Sequence, residues 1–473
     1  VHWEKATSRR RLYLNMATSS EADANRQRDD SHVTAQQWKW TVLAGMASYL
    51  DAGSIVALAA GLALWQEYLH MSSTTVGLLA ALGPNAFGAA IGALIGGRLG
   101  DLFGRKRIYQ YDLLVYGLGT LLIVFSANLP MLLIGTFIVG VAVGADVPTS
   151  LALIGEFSPS RARGRLMGLS QVAWSLGPIV VYVLAFVLTP YGVLGSRIVF
   201  AHLFVVAIVT WALRRGMVES AIWTAASGAG EAESTRAPEE QPEEAGVPAD
   251  PLAASRLRNL FLGPTLAAMV FTATVYLFWN LAAGTFGVFS PYILKTLGTQ
   301  SQAASVALSC AGFVITLVVV VLVFMPFSDR SDRARRTMWG IGAVLNVVSV
   351  GQLLIFPLNT VTAIALVALF GVGAAIAGEP FYKTWSQELF PTMLRTTAQG
   401  LTFSVARLLL GIWSFFVPVL ANLSIRPVAL ILMIFLLISG VVGFVFMPNT
   451  AGKSLEEIEA ERSGSPMPEQ VTA

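Results

Sequence analysis

Cysteine is all but missing from this chain: Cys310 is the only one in 473 residues. A single thiol excludes an internal disulfide framework and a zinc site built on cysteines. Charge is scarce too. Asp, Glu, Lys and Arg make up 12% of the residues, half of the roughly 25% typical of soluble domains. A complete phosphate-binding loop is lacking. Gly452, Lys453 and Ser454 imitate its end, but the first glycine it requires falls on Met447. Zinc-protease and hydrolase motifs are likewise missing, so an enzyme reading has no residues to carry it, ATP hydrolysis has no site, and no cofactor is implied. Net charge is only +3, with the cations confined to alternate loops, which makes nucleic acid a poor partner.

What the chain has instead is apolar length. It is 55% hydrophobic with a mean hydropathy of +0.66. A bilayer-spanning helix needs about 20 apolar residues, and twelve such runs are visible, near 39–63, 75–96, 108–127, 130–155, 166–189, 196–216, 261–291, 303–327, 337–357, 359–382, 397–421 and 424–447.

The loops between these runs repeat. Between the second and third, Gly97 to Arg107 carries Arg98, Arg105, Lys106 and Arg107 with Asp101 and the glycines 97, 100 and 104. A degraded echo follows between the eighth and ninth, with Asp329, Arg330, Asp332, Arg333, Arg335 and Arg336. Glu156, Pro159, Arg163 and Gly168 return as Glu388, Pro391, Arg395 and Gly400 at one constant offset. Two homologous halves of six spans each explain both echoes.

Arginine and lysine gather in every second loop, including Arg161, Arg163, Arg165, Arg214, Arg215 and Arg395, which predicts that these loops and both termini are cytoplasmic. The domains follow: a polar tail 1–37, expected to be disordered; a first half 38–217; a linker 218–260; a second half 261–447; and a cytoplasmic tail 448–473. The linker stretch 224–255 holds seven carboxylates and four prolines and reads as flexible. Met16 opens a more ordinary start than Val1, so residues 1–15 are read as an upstream extension. In the second span, Gly88, Gly92, Gly96 and Gly100 share one helix face, a bare ridge for close helix approach. Static packing and a sliding interface would look alike there.

The loop Gly97, Asp101, Gly104, Arg105 and Lys106 resembles the signature between helices two and three of the major facilitator superfamily. Glu156, Pro159, Arg163 and Gly164 are similar to the pattern its sugar porter family carries after helix four. Glu219, Ser220 and Trp223 after helix six, Glu388, Phe390 and Pro391 after helix ten, and Pro448, Gly452, Leu455, Glu456, Glu457 and Ile458 after the last helix continue the likeness. The resemblance implies gradient-driven solute transport. It also marks departures. Sugar porters usually carry an arginine early in helix four, where this chain has Thr136. Their paired glutamines in helix seven become Phe278 and Trp279, followed by Asn280, and a helix-ten tryptophan becomes Lys383. Gln171 matches the family's sugar-contacting glutamine in helix five.

Ionisable groups inside spans are candidates for function, since even the gentlest scale sets the cost of a charge there at roughly 2.5–3.5 kcal/mol. Asp51, midway along the first span, is the candidate to load and release a proton, and proton-coupled sugar porters carry an aspartate at the similar place. Asp146 in the fourth span has three open uses: a proton carrier, a ligand for solute hydroxyls, or the partner of a cation. Asp112 is expected to pair with loop cations. Arg407 is the cation most in need of a buried carboxylate. Glu379 precedes Lys383 by one helical turn, the spacing of an ion pair. Trp279 and Asn280 offer a stacking face and an amide, or simple packing.

The expectation is therefore an all-α integral membrane protein with twelve transmembrane helices in two pseudo-symmetric bundles. It would work as a monomer in the plasma membrane, with a small solute and protons as its partners. Asp51 and Asp146 would couple the proton; Gln171, Trp279, Asn280, Glu379, Lys383 and Arg407 would bind solute. Gly97, Asp101, Gly104, Arg105, Glu156, Arg163, Asp329, Arg333, Glu388 and Arg395 would form gating loops. The resemblance implies import of a sugar or polyol by proton symport. An inositol-like cyclitol is favoured because Gln171 is kept while the glutamine pair is lost. The alternative, motivated by Lys383 and Arg407, is an organic-anion/proton symporter.

Overall fold

The computed structural model describes residues 33–216, 219–227, 257–296 and 302–463. The N-terminal tail up to residue 32 with Met16, the linker stretch 228–256 and the end of the C-terminal tail lie outside the described residues.

Twelve helical spans follow one another. In the first half they are α1 (Ala35–Tyr68), α2 (Ser73–Leu82 and Phe87–Phe103), α3 (Arg105–Val124), α4 (Leu129–Phe157), α5 (Arg163–Val187) and α6 (Val193–Arg214). The second half holds α7 (Gly263–Thr296), α8 (Gln302–Val319, continued by a π turn Val320–Phe324 and Met325–Phe327), α9 (Asp332–Ile355), α10 (Thr360–Ile376 and Glu379–Glu388), α11 (Arg395–Leu423) and α12 (Ile425–Val445). Among the described residues, ten of these are long and apolar enough to cross a membrane by length and composition. The other two are α3, which opens on Arg105, Lys106 and Arg107, and α11, which carries Arg395, Gln399 and Arg407.

Helix starts are chemically marked. Thr34, Ser72, Asn128, Ser331, Asn359 and Ser424 each stand ahead of a helix and accept one of its free backbone N–H groups. One expected boundary moves outward: α1 starts at Ala35, inside the expected tail; the C-terminal tail itself contains a helix, Leu455–Ser463, with Leu455 and Ile458 buried. A short helix, Ala221–Ala226, opens the linker.

Inside the first half α1 runs along α5, α2 along α4, and α3 along α4 and α6. In the second, α7 packs on α11 and α12, and α9 on α10 and α12. The halves meet where α2 lies against α11 and where α5 lies against α8, two contacts that exchange under the repeat. The glycine ridge resolves into two jobs. A methyl group on Gly92 would collide with the Val141 carbonyl oxygen, and one on Gly96 with Ala145 Cα, both on α4 of the same half. Gly97, one position round the helix, faces Thr396 and Gly400 on α11 of the other half.

Two spans are broken, and each break turns a polar residue inward. α2 is interrupted at residues 83–86, which places Asn85; α10 is interrupted at Ala377 and Gly378, which places Glu379. The Ala377 carbonyl freed by the second break accepts a hydrogen bond from Asn346 Nδ2 at 3.0 Å. Irregular backbone at this depth is tolerated where it is satisfied by protein and lines a cavity.

Candidate functional site

A cavity of about 770 Å³, counted with its open mouth, lies between α5 of the first half and α7, α8 and α10 of the second. Its walls are mostly apolar and include the aromatic rings of Trp174, Tyr182, Trp279, Phe286, Phe313 and Phe370, and its polar groups are Gln171, Ser290, Ser309 and Thr316. A smaller chamber of about 430 Å³ shares Trp174, Trp279 and Phe313 with it and adds Asn85, Asn280, Glu379 and Arg407.

Four buried charges stand at this depth, and each is matched. Asp51 Oδ2 on α1 lies 3.2 Å from Arg407 Nη2 on α11, a bridge between the halves. The Arg407 guanidinium also donates to Asn85 Oδ1 and lies 4.6 Å from the centre of the Phe403 ring. Asp51 Oδ1 has no hydrogen-bond partner among the described residues. Glu379 Oε1 is 3.6 Å from Lys383 Nζ, the pair expected from their spacing. Lys383 Nζ also donates to Gln171 Oε1 at 3.0 Å and to Ser48 Oγ at 3.4 Å, both in the other half.

Of the residues expected to bind solute, Gln171 and Trp279 line the larger cavity, while Asn280, Glu379 and Arg407 line the smaller. Lys383 stands behind Gln171 and lines neither. Phe278 turns away and packs against Phe435 with ring centres 5.7 Å apart. Asp146 lies elsewhere. Its Oδ2 accepts from Arg214 Nη1 at 3.0 Å, and the same nitrogen is 3.6 Å from Asp112. All three are buried inside the first half, with Tyr109 stacked under the guanidinium at 3.6 Å. Of the three uses open to Asp146, pairing with a cation is the one visible here. The cation came from the end of α6, where its charge had placed Arg214 among the loop cations.

Asn85, Trp174 and Phe313 were missed by sequence reasoning. For Asn85 a signal existed in the helix-breaking run Gly83, Pro84, Asn85. The two aromatics carry no mark that separates a cavity wall from ordinary packing.

At the end rich in cations the halves are bound together by two copies of one arrangement. Asp101 accepts backbone N–H groups from Thr396 at 3.3 Å and Thr397 at 2.7 Å, at the start of α11. Asp329 accepts those of Gly164 and Arg165, both at 2.8 Å, at the start of α5. A carboxylate at a helix N-terminus is favoured by the unpaired N–H groups and the helix dipole. Burial pushes the Asp329 carboxyl upward, while Arg335 and the two amides pull it down less strongly. Glu156 takes Arg395 at 3.0 Å and Arg105 at 3.1 Å; Glu388 takes Arg335 at 2.9 Å and Arg163 at 3.6 Å. Each glutamate thus holds one arginine of its own half and one of the other.

One expected member changes. Arg333 is exposed, and Arg335, buried, supplies the cation. With α9 starting at Asp332, it is Arg335 that reaches both Asp329 and Glu388. Gly104 takes φ +92°, and a side chain there would strike Glu219 Oε2, which accepts the Lys106 N–H at 3.1 Å. Trp223 Nε1 donates to the Asp101 carbonyl at 3.0 Å, so the start of the linker is tied to this loop.

Two six-helix halves, joined by ion pairs at one end and parted by a cavity with paired charges beside it, define a membrane transporter of the major facilitator type. More narrowly, the chain belongs to the sugar transporter family: the model described as "Sugar (and other) transporter" matches residues 17–461. It is 42% identical over 431 residues to the minor myo-inositol transporter IolF of Bacillus subtilis (strain 168), covering 90% of this chain and 94% of that one. The major myo-inositol transporter IolT of the same organism is 25% identical over 414 residues, covering 83% of this chain and 87% of that one. Among solved structures, the proton:xylose symporter XylE bound to 6-bromo-6-deoxy-D-glucose overlays with a TM-score of 0.75 at 17% identity, over 91% of this chain and all of that one. At that identity the likeness is one of fold.

Proposed function

We propose that this protein imports a small neutral polyol, with a cyclitol of the myo-inositol type as the preferred solute, and that each solute enters with a proton. Support for the solute class comes from the relatives named as myo-inositol transporters and from the cavity. Aromatic walls stack on the C–H faces of a polyol ring, while Gln171, Ser290 and Ser309 meet its hydroxyls. The observation that carries the reading is the mutual pairing of the four buried charges beside the cavity. With Asp51 ionised, Asp51 with Arg407 and Glu379 with Lys383 leave the site neutral overall, and an anionic solute would have to break a pair to bind in that state.

Asp51 is the proposed proton site. Protonation would remove the charge that holds Arg407, and Asn85, already bonded to Arg407, would keep the guanidinium on its far side. Because Asp51 and Arg407 belong to different halves, taking up a proton would loosen one tie across the interface. Transport would then proceed by rocking of the halves about the cavity. The cation-rich face, with both termini, would be the cytoplasmic one in the plasma membrane, and the unit a monomer. Competition for labelled myo-inositol uptake in proteoliposomes tests the solute class. Neutral cyclitols and sugars should compete, and gluconate-like or aromatic anions should not. Strong inhibition by those anions, with none by neutral polyols at millimolar concentration, would contradict it.

A further inference from the structure

We infer that Lys383 fixes the hydrogen-bonding polarity of Gln171, so that the cavity presents a donor there and reads a solute oxygen as an acceptor. The inference rests on the proposed solute site, in which Gln171 touches the polyol. A lysine ammonium has three N–H donors and no acceptor, whereas a glutamine amide has an acceptor on one side and donors on the other. With Lys383 Nζ 3.0 Å away, the amide must show it the oxygen, and Oε1 is the atom found there. The alternative orientation would bring two donors face to face in a buried site, the arrangement that costs most.

The ammonium is itself held in place. Glu379 lies 3.6 Å from it on the same helix, and Ser48 accepts from it at 3.4 Å while lying 3.2 Å from Ser170 Oγ. Lys383 is 1% exposed and lines neither chamber, so it acts through Gln171 as a positioning residue. The Nε2 group of Gln171 is left without a partner among the described residues, and Gln171 lines the cavity. The Trp279 indole nitrogen, by contrast, is buried against Gly378 and is not offered to a solute. One donor, Gln171 Nε2, therefore awaits a solute oxygen. A ring carbonyl in place of a hydroxyl satisfies such a donor, and an ammonium in the same position cannot.

The test compares inhibition of labelled myo-inositol uptake by an inosose, in which a ketone replaces one hydroxyl, and by the aminodeoxyinositol bearing an ammonium at the same ring position. Each position is tried in turn. Wild-type protein should show at least one position where the ketone binds about as well as inositol and the amine at least tenfold worse, roughly the scale of one hydrogen bond to a charged group. In the double variant Glu379→Gln with Lys383→Gln, net charge is unchanged and the amide is free to turn, so that ratio should collapse toward one. In Gln171→Glu, which keeps an acceptor toward Lys383 and offers only acceptors to the cavity, it should reverse. A wild-type ratio retained in the double variant, with Gln171→Ala weakening inositol, overturns the inference alone. Unchanged inositol affinity in Gln171→Ala overturns the solute-site reading with it.

Discussion

At the scale of single residues, the buried charges were legible individually, and their partners only where both lie on one helix. Asp51, Asp146, Glu379, Lys383 and Arg407 stand out because a charge in an apolar run is costly. Spacing within one helix revealed Glu379 with Lys383. No spacing could link Asp51 to Arg407, 356 positions apart, or Asp146 to Arg214, because those pairs depend on which helices touch. The pairs lead to different expectations. Removing one partner of a buried ion pair costs about 3–5 kcal/mol. Asp146→Asn should therefore lower the thermal stability of the purified protein, leaving Arg214 with only Asp112, while any folded fraction keeps its solute preference. Thermal unfolding and inhibitor profiles measured on one preparation would check both parts. Glu379→Gln should depress transport by leaving Lys383 short of a carboxylate, and adding Lys383→Gln should restore part of the rate, read as initial uptake at saturating solute.

At the scale of helices, repeated loop motifs were the most legible feature, since the constant offset between Glu156 and Glu388 also separates Arg163 from Arg395. Hidden from the sequence was the exchange of partners between halves, by which each glutamate takes its fellow's arginine. The choice of Arg335 over Arg333 was equally invisible, because it depends on where α9 begins. Asp101→Asn should slow turnover several-fold more than it weakens solute binding, since Asp101 holds the start of α11 and is remote from the cavity; maximal rate and half-saturation measured together would check this. The ridge makes a second distinction. Gly92 meets α4 of its own half, while Gly400 lies against Ala93 and Gly97 of the other. Overpacking costs typically about 1–3 kcal/mol. Gly92→Ala should thus reduce the yield of folded protein. Gly400→Ala should leave the yield intact and shift the equilibrium away from closure at the cation-rich end by about tenfold or more, read by the labelling rate of a cysteine placed at that interface.

At the scale of the whole molecule, two halves and twelve spans follow from hydropathy and repetition, whereas the break in α10 ahead of Glu379 needed coordinates. The arrangement joins two kinds of tie across one interface. The ion pairs at the cation-rich end line neither chamber, and the Asp51–Arg407 bridge ends on Arg407 in the wall of the smaller one. If the second tie is the one a proton releases, solute and proton must move together. The direct measurement is the pH inside lightly buffered proteoliposomes, started with equal pH on both sides and no membrane potential, after myo-inositol is added outside. The account predicts that wild-type protein acidifies the lumen as inositol enters. It also predicts that Asp51→Asn gives no acidification and no uphill accumulation while still exchanging labelled for unlabelled inositol. Inositol entry without proton movement in wild type, or acidification that persists in Asp51→Asn, would contradict it.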